Sequence, residues 1–137
     1  MKIVYWSGTG NTEKMAELIA KGIREGGKNA EVINVANADS DIFDDEEVII
    51  LGCPSMGDEV LEESEFEPFI EEIFLKISKK KAALFGSYGW RDGKWMKEWE
   101  DRMIFYGYQI EKDYLIICGE IEYEDEYIDF GEKIALL

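Results

Sequence analysis

Histidine is missing altogether from this 137-residue chain, and cysteine and proline occur only twice each. Without imidazole, acid–base chemistry near neutrality loses its usual agent, and zinc and haem lose their commonest ligand. Cys53 and Cys118 are too few and too far apart in sequence for a zinc site, so they read as buried free thiols. Positive charge is scarce as well: 15 Lys and Arg face 31 Asp and Glu, a formal net charge of −16 at pH 7. Such a surface repels nucleic acid and anionic membranes. No apolar run approaches the roughly 18 residues of a membrane span, and no basic stretch followed by a long apolar one opens the chain. A cytoplasmic protein is expected, and any chemistry has to come from other residues or a bound cofactor.

The acids that are present fall in clusters. Asp39, Asp41, Asp44, Asp45, Glu46 and Glu47 form one, Asp58 to Glu72 supplies eight more, and Glu120 to Glu126 supplies five. One run of acids is usually a solvated face, whereas three together favour long-range attraction to basic partner proteins. The length and a hydrophobic content of 46% suit one domain over residues 1–137, with apolar residues enough to cover both faces of a sheet.

Strands and helices alternate along the chain. Lys2 to Trp6 reads as a buried strand, and Met15, Leu18, Ile19 and Ile23 mark a helix that Gly26 and Gly27 end. Strands follow near Ala30 to Val35 and from Val48 to Cys53, the latter apolar almost throughout and so covered on both faces. Pro68 suits the first turn of a second helix with Phe69, Ile70, Ile73, Phe74 and Ile77 inward and Lys76 and Lys79 to Lys81 at its end. Ala82 to Tyr88 is the fourth strand. A helix from Asp92 to Tyr106 buries Trp95, Trp99 and Met103 before Gly107; Tyr114 to Cys118 is the fifth strand, and Glu124 to Leu136 the last helix. Right-handed crossovers then give an α/β fold: a doubly wound, five-stranded parallel sheet with helices on both faces.

In such sheets ligands bind beyond the carboxyl ends of the strands where the strand order reverses, which brings together the loops after strands one, three and four. The first is Ser7-Gly8-Thr9-Gly10-Asn11-Thr12, a strand-to-helix turn whose hydroxyls, amide and free backbone N–H groups can hold a phosphate monoester without a cation. Glu13 stands where a dinucleotide fingerprint needs its third glycine, and no Gly-Lys precedes Ser or Thr as a Walker loop requires. After strand three comes Pro54-Ser55-Met56-Gly57-Asp58-Glu59. After strand four comes Ser87-Tyr88-Gly89-Trp90-Arg91-Asp92-Gly93.

These three loops, with Lys94-Trp95 after the last, resemble the short-chain flavodoxins of anaerobic bacteria, most densely from Met1 to about Glu100. The strand order implied is 2-1-3-4-5, which is the known order of flavodoxin itself. The resemblance implies a bound FMN and a low-potential one-electron carrier, working between the semiquinone and hydroquinone states and turning over no substrate of its own. Ser7 to Thr12 would hold the phosphate. Met56 and Trp90 would cover the two ring faces, as polarizable groups that pack on flat π-systems. Pro54 and Ser55 would lead into Gly57, whose peptide could turn its carbonyl toward the reduced ring N5–H because it has no Cβ. An acid in this loop, Glu59 rather than Asp58, would accept from the ring N3–H. Ser87, Tyr88 and Gly89 would contact the ribityl chain and the pyrimidine edge.

Nearby acids would lower the potential: one charge about 10 Å away, at an effective dielectric near 20, is worth roughly 1.7 kcal/mol. That is on the order of 70 mV for a one-electron couple. Arg91 departs from the family's usual glycine, and either disfavours the loop, raises the potential or points into water. The expected partners are basic reductases and electron acceptors, and the chain is expected to act as a monomer.

Rival readings meet specific obstacles. A phospho-acceptor receiver domain wants an acidic pair after strand one and an Asp ending strand three, where this chain has Ser7-Gly8 and Cys53-Pro54. An NAD(P)H-dependent flavin or quinone reductase needs a second nucleotide surface, which nothing here supplies. A thiol-redox role would need Cys53 and Cys118 within about 7 Å, but two strand spacings of about 4.8 Å separate them.

Overall fold

A computed structural model describes residues 1–6, 8, 10–54, 62–74, 80–87, 94–110, 115–118 and 124–137, with the backbone alone at 74, 87, 94 and 115–118. The strands are β1 (Lys2–Tyr5), β2 (Glu31–Asn34), β3 (Val48–Gly52), β4 (Lys81–Ser87) and β5 (Leu115–Cys118). The helices are α1 (Asn11–Glu25), α2 (Phe66–Phe74), α3 (Lys94–Phe105) and α4 (Glu124–Ala135). All strand pairs are parallel, as the alternation predicts, and the order is β2-β1-β3-β4-β5, as the resemblance implies.

The side-chain period of two sorts the strand residues onto two cores. Ile3, Tyr5, Val48, Ile50, Ala83 and Phe85 face α1 and α4, where Met15, Ile19, Ile23, Tyr127, Phe130 and Ile134 meet them. Val4, Ile49, Leu51, Cys53, Ala82 and Leu84 face the other way, onto Phe66, Ile70 and Ile73 of α2 and Trp95, Trp99 and Met103 of α3. Strand β3 is buried along its whole length, which is why it reads as an unbroken apolar run. Each fully buried Ile or Leu contributes about 1.5–3 kcal/mol.

Close backbone packing fixes α1 against α4. A Cβ on Gly22 would lie 1.9 Å from the Ile128 carbonyl oxygen, and one on Gly131 would lie 2.1 Å from that of Ile19. Neither position admits a side chain. On the opposite face, Arg102 Nη1 reaches Glu67 Oε1 at 2.5 Å and ties α3 to α2.

Strand β2 ends one residue before the sequence reading has it. Strand β2 stops at Asn34 because the Asn34 side chain accepts the Ala36 N–H at 2.9 Å and draws Val35–Asn37 into a short 3-10 turn. Helix α2 opens at Phe66, two residues before Pro68, for a reason given below. The acidic stretch after β2 is tied down at its backbone: Lys2 Nζ donates to the Ile42 carbonyl at 3.1 Å, and Lys80 Nζ donates to that of Phe43. Ile77, Tyr88 and Tyr114 lie outside the described residues. Among the described residues no helix is long and apolar enough to cross a membrane.

Candidate functional site

The register places the strand ends side by side. Tyr5 pairs with Gly52, Gly52 with Phe85, and Ser87 with Cys118, so the chain leaves β1, β3 and β4 at one edge of the sheet. Trp6 continues the ladder, donating its N–H to the Gly52 carbonyl at 3.0 Å.

Beyond β1, exposed Gly8 lies against the Trp6 ring, where a Cβ would come to 3.0 Å of Cη2. Gly10 then takes φ 96° and ψ −13°, a left-handed turn that favours glycine, and stands at the N-cap of α1. Among the described residues no side chain caps this helix, while the Gly10 carbonyl accepts the first intrahelical bond from Lys14 N–H at 3.0 Å. The first-turn N–H groups therefore keep their capacity to bind an anion, and the helix dipole adds to it.

Thr12, in that first turn, is 1% exposed, and its Oγ1 has no hydrogen-bond partner among the described residues. An orphaned buried hydroxyl costs about 1–3 kcal/mol unless something fills its bonding capacity. Glu13 offers no such relief. Burial and the Glu13 carboxylate together hold the Tyr5 hydroxyl proton more tightly than usual, Glu13 bonding that hydroxyl while a bond with the Asn34 side chain opposes the shift. Lys14 is drawn to Glu124 at 3.4 Å. A phosphate monoester, with several acceptor oxygens and two negative charges, fits this combination of uncapped N–H groups, helix dipole and unsatisfied hydroxyl.

Beyond β3, Cys53 is fully buried, its N–H donating to the Phe85 carbonyl at 3.2 Å and its thiol to the Pro54 carbonyl at 3.4 Å. Burial pushes this thiol up to about 12; the Glu62 and Glu67 carboxylates reinforce the shift and the Glu62 backbone N–H opposes it. The thiol stays protonated and unreactive near neutrality.

Glu62 was missed in the sequence, where it falls inside the run Asp58 to Glu72 and reads as part of a solvated face. It is 5% exposed. Its Oε1 accepts the Ser64 N–H at 2.7 Å and the Ser64 hydroxyl, and its Oε2 accepts the N–H groups of Glu65 at 2.8 Å and Phe66 at 2.9 Å. Burial alone would raise its pKa, but these donors outweigh it and hold the carboxyl below its ordinary range. They also start α2 at Phe66, leaving Pro68 in the first turn, where its missing N–H is of no consequence. The only signal in the sequence is an acid preceding Ser64 and the apolar start of a helix, and it is hidden among like charges.

Of the residues expected at the site, Gly8, Gly10, Asn11, Thr12, Pro54 and the backbone of Ser87 are described, and all of them lie at this edge. Ser7, Thr9, Ser55 to Glu59 and Tyr88 to Arg91 lie outside the described residues.

Comparison with known proteins agrees with the architecture. A sequence model of the flavodoxin family matches residues 3–126. A flavodoxin of Clostridium beijerinckii is 64% identical over 136 residues, covering 98% of this chain and 99% of that protein. A flavodoxin of Megasphaera elsdenii is 46% identical over 102 residues, covering 74% of each chain. The solution structure of the two-electron reduced Megasphaera elsdenii protein superposes with a TM-score of 0.91 at 39% identity, covering 99% of this chain and 98% of that one. With its sheet order, its uncapped first helix and these relatives, the chain belongs to the flavodoxin family of FMN-binding electron carriers.

Proposed function

We propose that this chain, as one domain spanning residues 1–137, carries single electrons at low potential between proteins, with the FMN phosphate seated at the N-terminus of α1. The observation that carries the seat is the buried Thr12 hydroxyl, unpartnered among the described residues, beside a helix end that none of their side chains caps. FMN supplies the one-electron chemistry, and the protein binds it, orients it and excludes water.

In this reading Ser7 to Thr12 donate to the phosphate. Met56 and Trp90 lie against the ring, Gly57 offers its carbonyl at N5, and Glu59 rather than Asp58 accepts from N3. Pro54 and Ser55 lead into that loop; Ser87, Tyr88, Gly89 and Arg91 line the far side. The net charge of −16 supports basic partner proteins and low affinity for nucleic acid or anionic membranes. We place the chain in the cytoplasm as a monomer.

A spectrum of the purified protein tests the reading. A flavin band that gains long-wavelength absorption at half reduction supports a one-electron carrier. Steady oxidation of NAD(P)H by the protein alone would support a reductase instead.

A further inference from the structure

Glu13 is the third residue of α1, counted from the Gly10 N-cap. From that position a glutamate side chain ordinarily folds back over the helix end and takes an N–H donor there, as in a capping box. Helix α2 shows what this chain does with a carboxylate near such donors: Glu62 takes the N–H groups of Ser64, Glu65 and Phe66 where that helix opens. At α1 the Glu13 carboxylate is engaged elsewhere, by the Tyr5 hydroxyl at the end of β1. Glu13 is exposed, so packing does not restrain it and a specific bond has to.

Tyr5 is placed to supply that bond. It is 6% exposed, buried with the residues of α1 and α4, and in the sheet register it stands beside Asn34 of β2. Asn34 Oδ1 accepts the Ala36 N–H at 2.9 Å, which leaves its amide NH2 to donate to the Tyr5 oxygen, and the Tyr5 O–H to donate to Glu13. Each group in this series is used once as the chemistry allows. The series runs from two paired strand ends to the first turn of α1.

We infer that Tyr5 is a positioning residue for the phosphate seat: by holding Glu13 through its hydroxyl, it keeps the chain's own carboxylate off the N-terminus of α1 and leaves the donors there to a phosphate monoester. This rests on the reading that the FMN phosphate sits at α1. A carboxylate lying over the helix end would oppose the phosphate twice, by taking N–H groups and by like charge.

Tyr5→Phe removes the hydroxyl and keeps the ring, and Glu13→Ala removes the carboxylate. Glu17→Ala is the control, since Glu17 also faces Tyr5 but lies one turn further from the helix end. Two readings on the full chain test the inference: the Kd for FMN, and amide hydrogen exchange at Gly10 to Thr12, followed by NMR in the FMN-free protein. Tyr5→Phe should raise the Kd about fivefold, a factor equivalent to about 1 kcal/mol, and slow that exchange as Glu13 folds back. In a Glu13→Ala background the same change should move neither reading, whereas Glu17→Ala should leave both effects in place.

A parental Kd or parental exchange in Tyr5→Phe would overturn the inference. So would a loss of affinity that persists with Glu13→Ala, because Tyr5 would then act through packing alone. The exchange needs no FMN, so a parent that binds none would overturn the proposed function and leave Tyr5 to be judged on the amides of α1.

Discussion

Two helices begin near the same edge of this sheet, and they use the same resource in opposite ways. At α1, among the described residues, the first-turn N–H groups have no side-chain cap and the Thr12 hydroxyl is buried without a partner, while Gly10 takes a left-handed turn. At α2 the N–H groups of Ser64, Glu65 and Phe66, which lead into the helix and open it, are taken by Glu62, an anion supplied by the chain itself. A helix N-terminus attracts negative charge wherever it lies. Whether it serves a ligand or the fold is decided by whether the sequence provides a carboxylate close enough to fill it.

The largest disturbance strikes what holds the open helix still. Gly22→Ala puts a methyl group into the Ile128 carbonyl, and a loss of about 3 kcal/mol is expected by chemical denaturation of the FMN-free protein. Unchanged stability would mean that the α1–α4 contact is looser than described. Filling of the α2 terminus is tested by Glu62→Ala, expected to cost about 2–3 kcal/mol in the same assay because it strands buried donors. The open terminus should respond in the reverse sense. Thr12→Val removes a hydroxyl that has no partner among the described residues, so stability of the FMN-free protein holds or rises. FMN affinity falls roughly 10- to 100-fold, the range for a hydrogen bond to a charged group.

The smallest effect sharpens the contrast through pH. Because the folded state holds Glu62 below its ordinary carboxyl range, the stability it adds is complete above the unfolded value of about 4.3. It is lost as pH falls through the lower folded value. The stability gap between parent and Glu62→Gln should be flat toward neutrality and close in acid; a gap that widens in acid would reverse the assigned shift.

Much of the open end was legible in the sequence, and almost none of the filled one. Gly8, Gly10 and Thr12 announce themselves because a glycine- and hydroxyl-rich turn between a strand and a helix is compositionally unusual. The strands were legible because β3 carries apolar residues on both faces, and the helices because Met15, Ile19 and Ile23, or Trp95, Trp99 and Met103, recur at helical spacing. Periodicity assigns a residue to a face but names no partner. Glu62 looked like its acidic neighbours because burial depends on what folds over it. The Gly22–Gly131 crossing joins distant segments, and the pairing of Tyr5 with Glu13 depends on how α1 lies on β1. Asn34 ended β2 early through a local side-chain bond that competes with the ladder.

The central claim is that α1 is left open for a phosphate, and it is tested most directly by comparing FMN with riboflavin, which lacks that group. Quenching of flavin fluorescence should show FMN binding to the parent far more tightly than riboflavin, with Thr12→Val narrowing the gap. Equal affinities for the two flavins in the parent would contradict the claim.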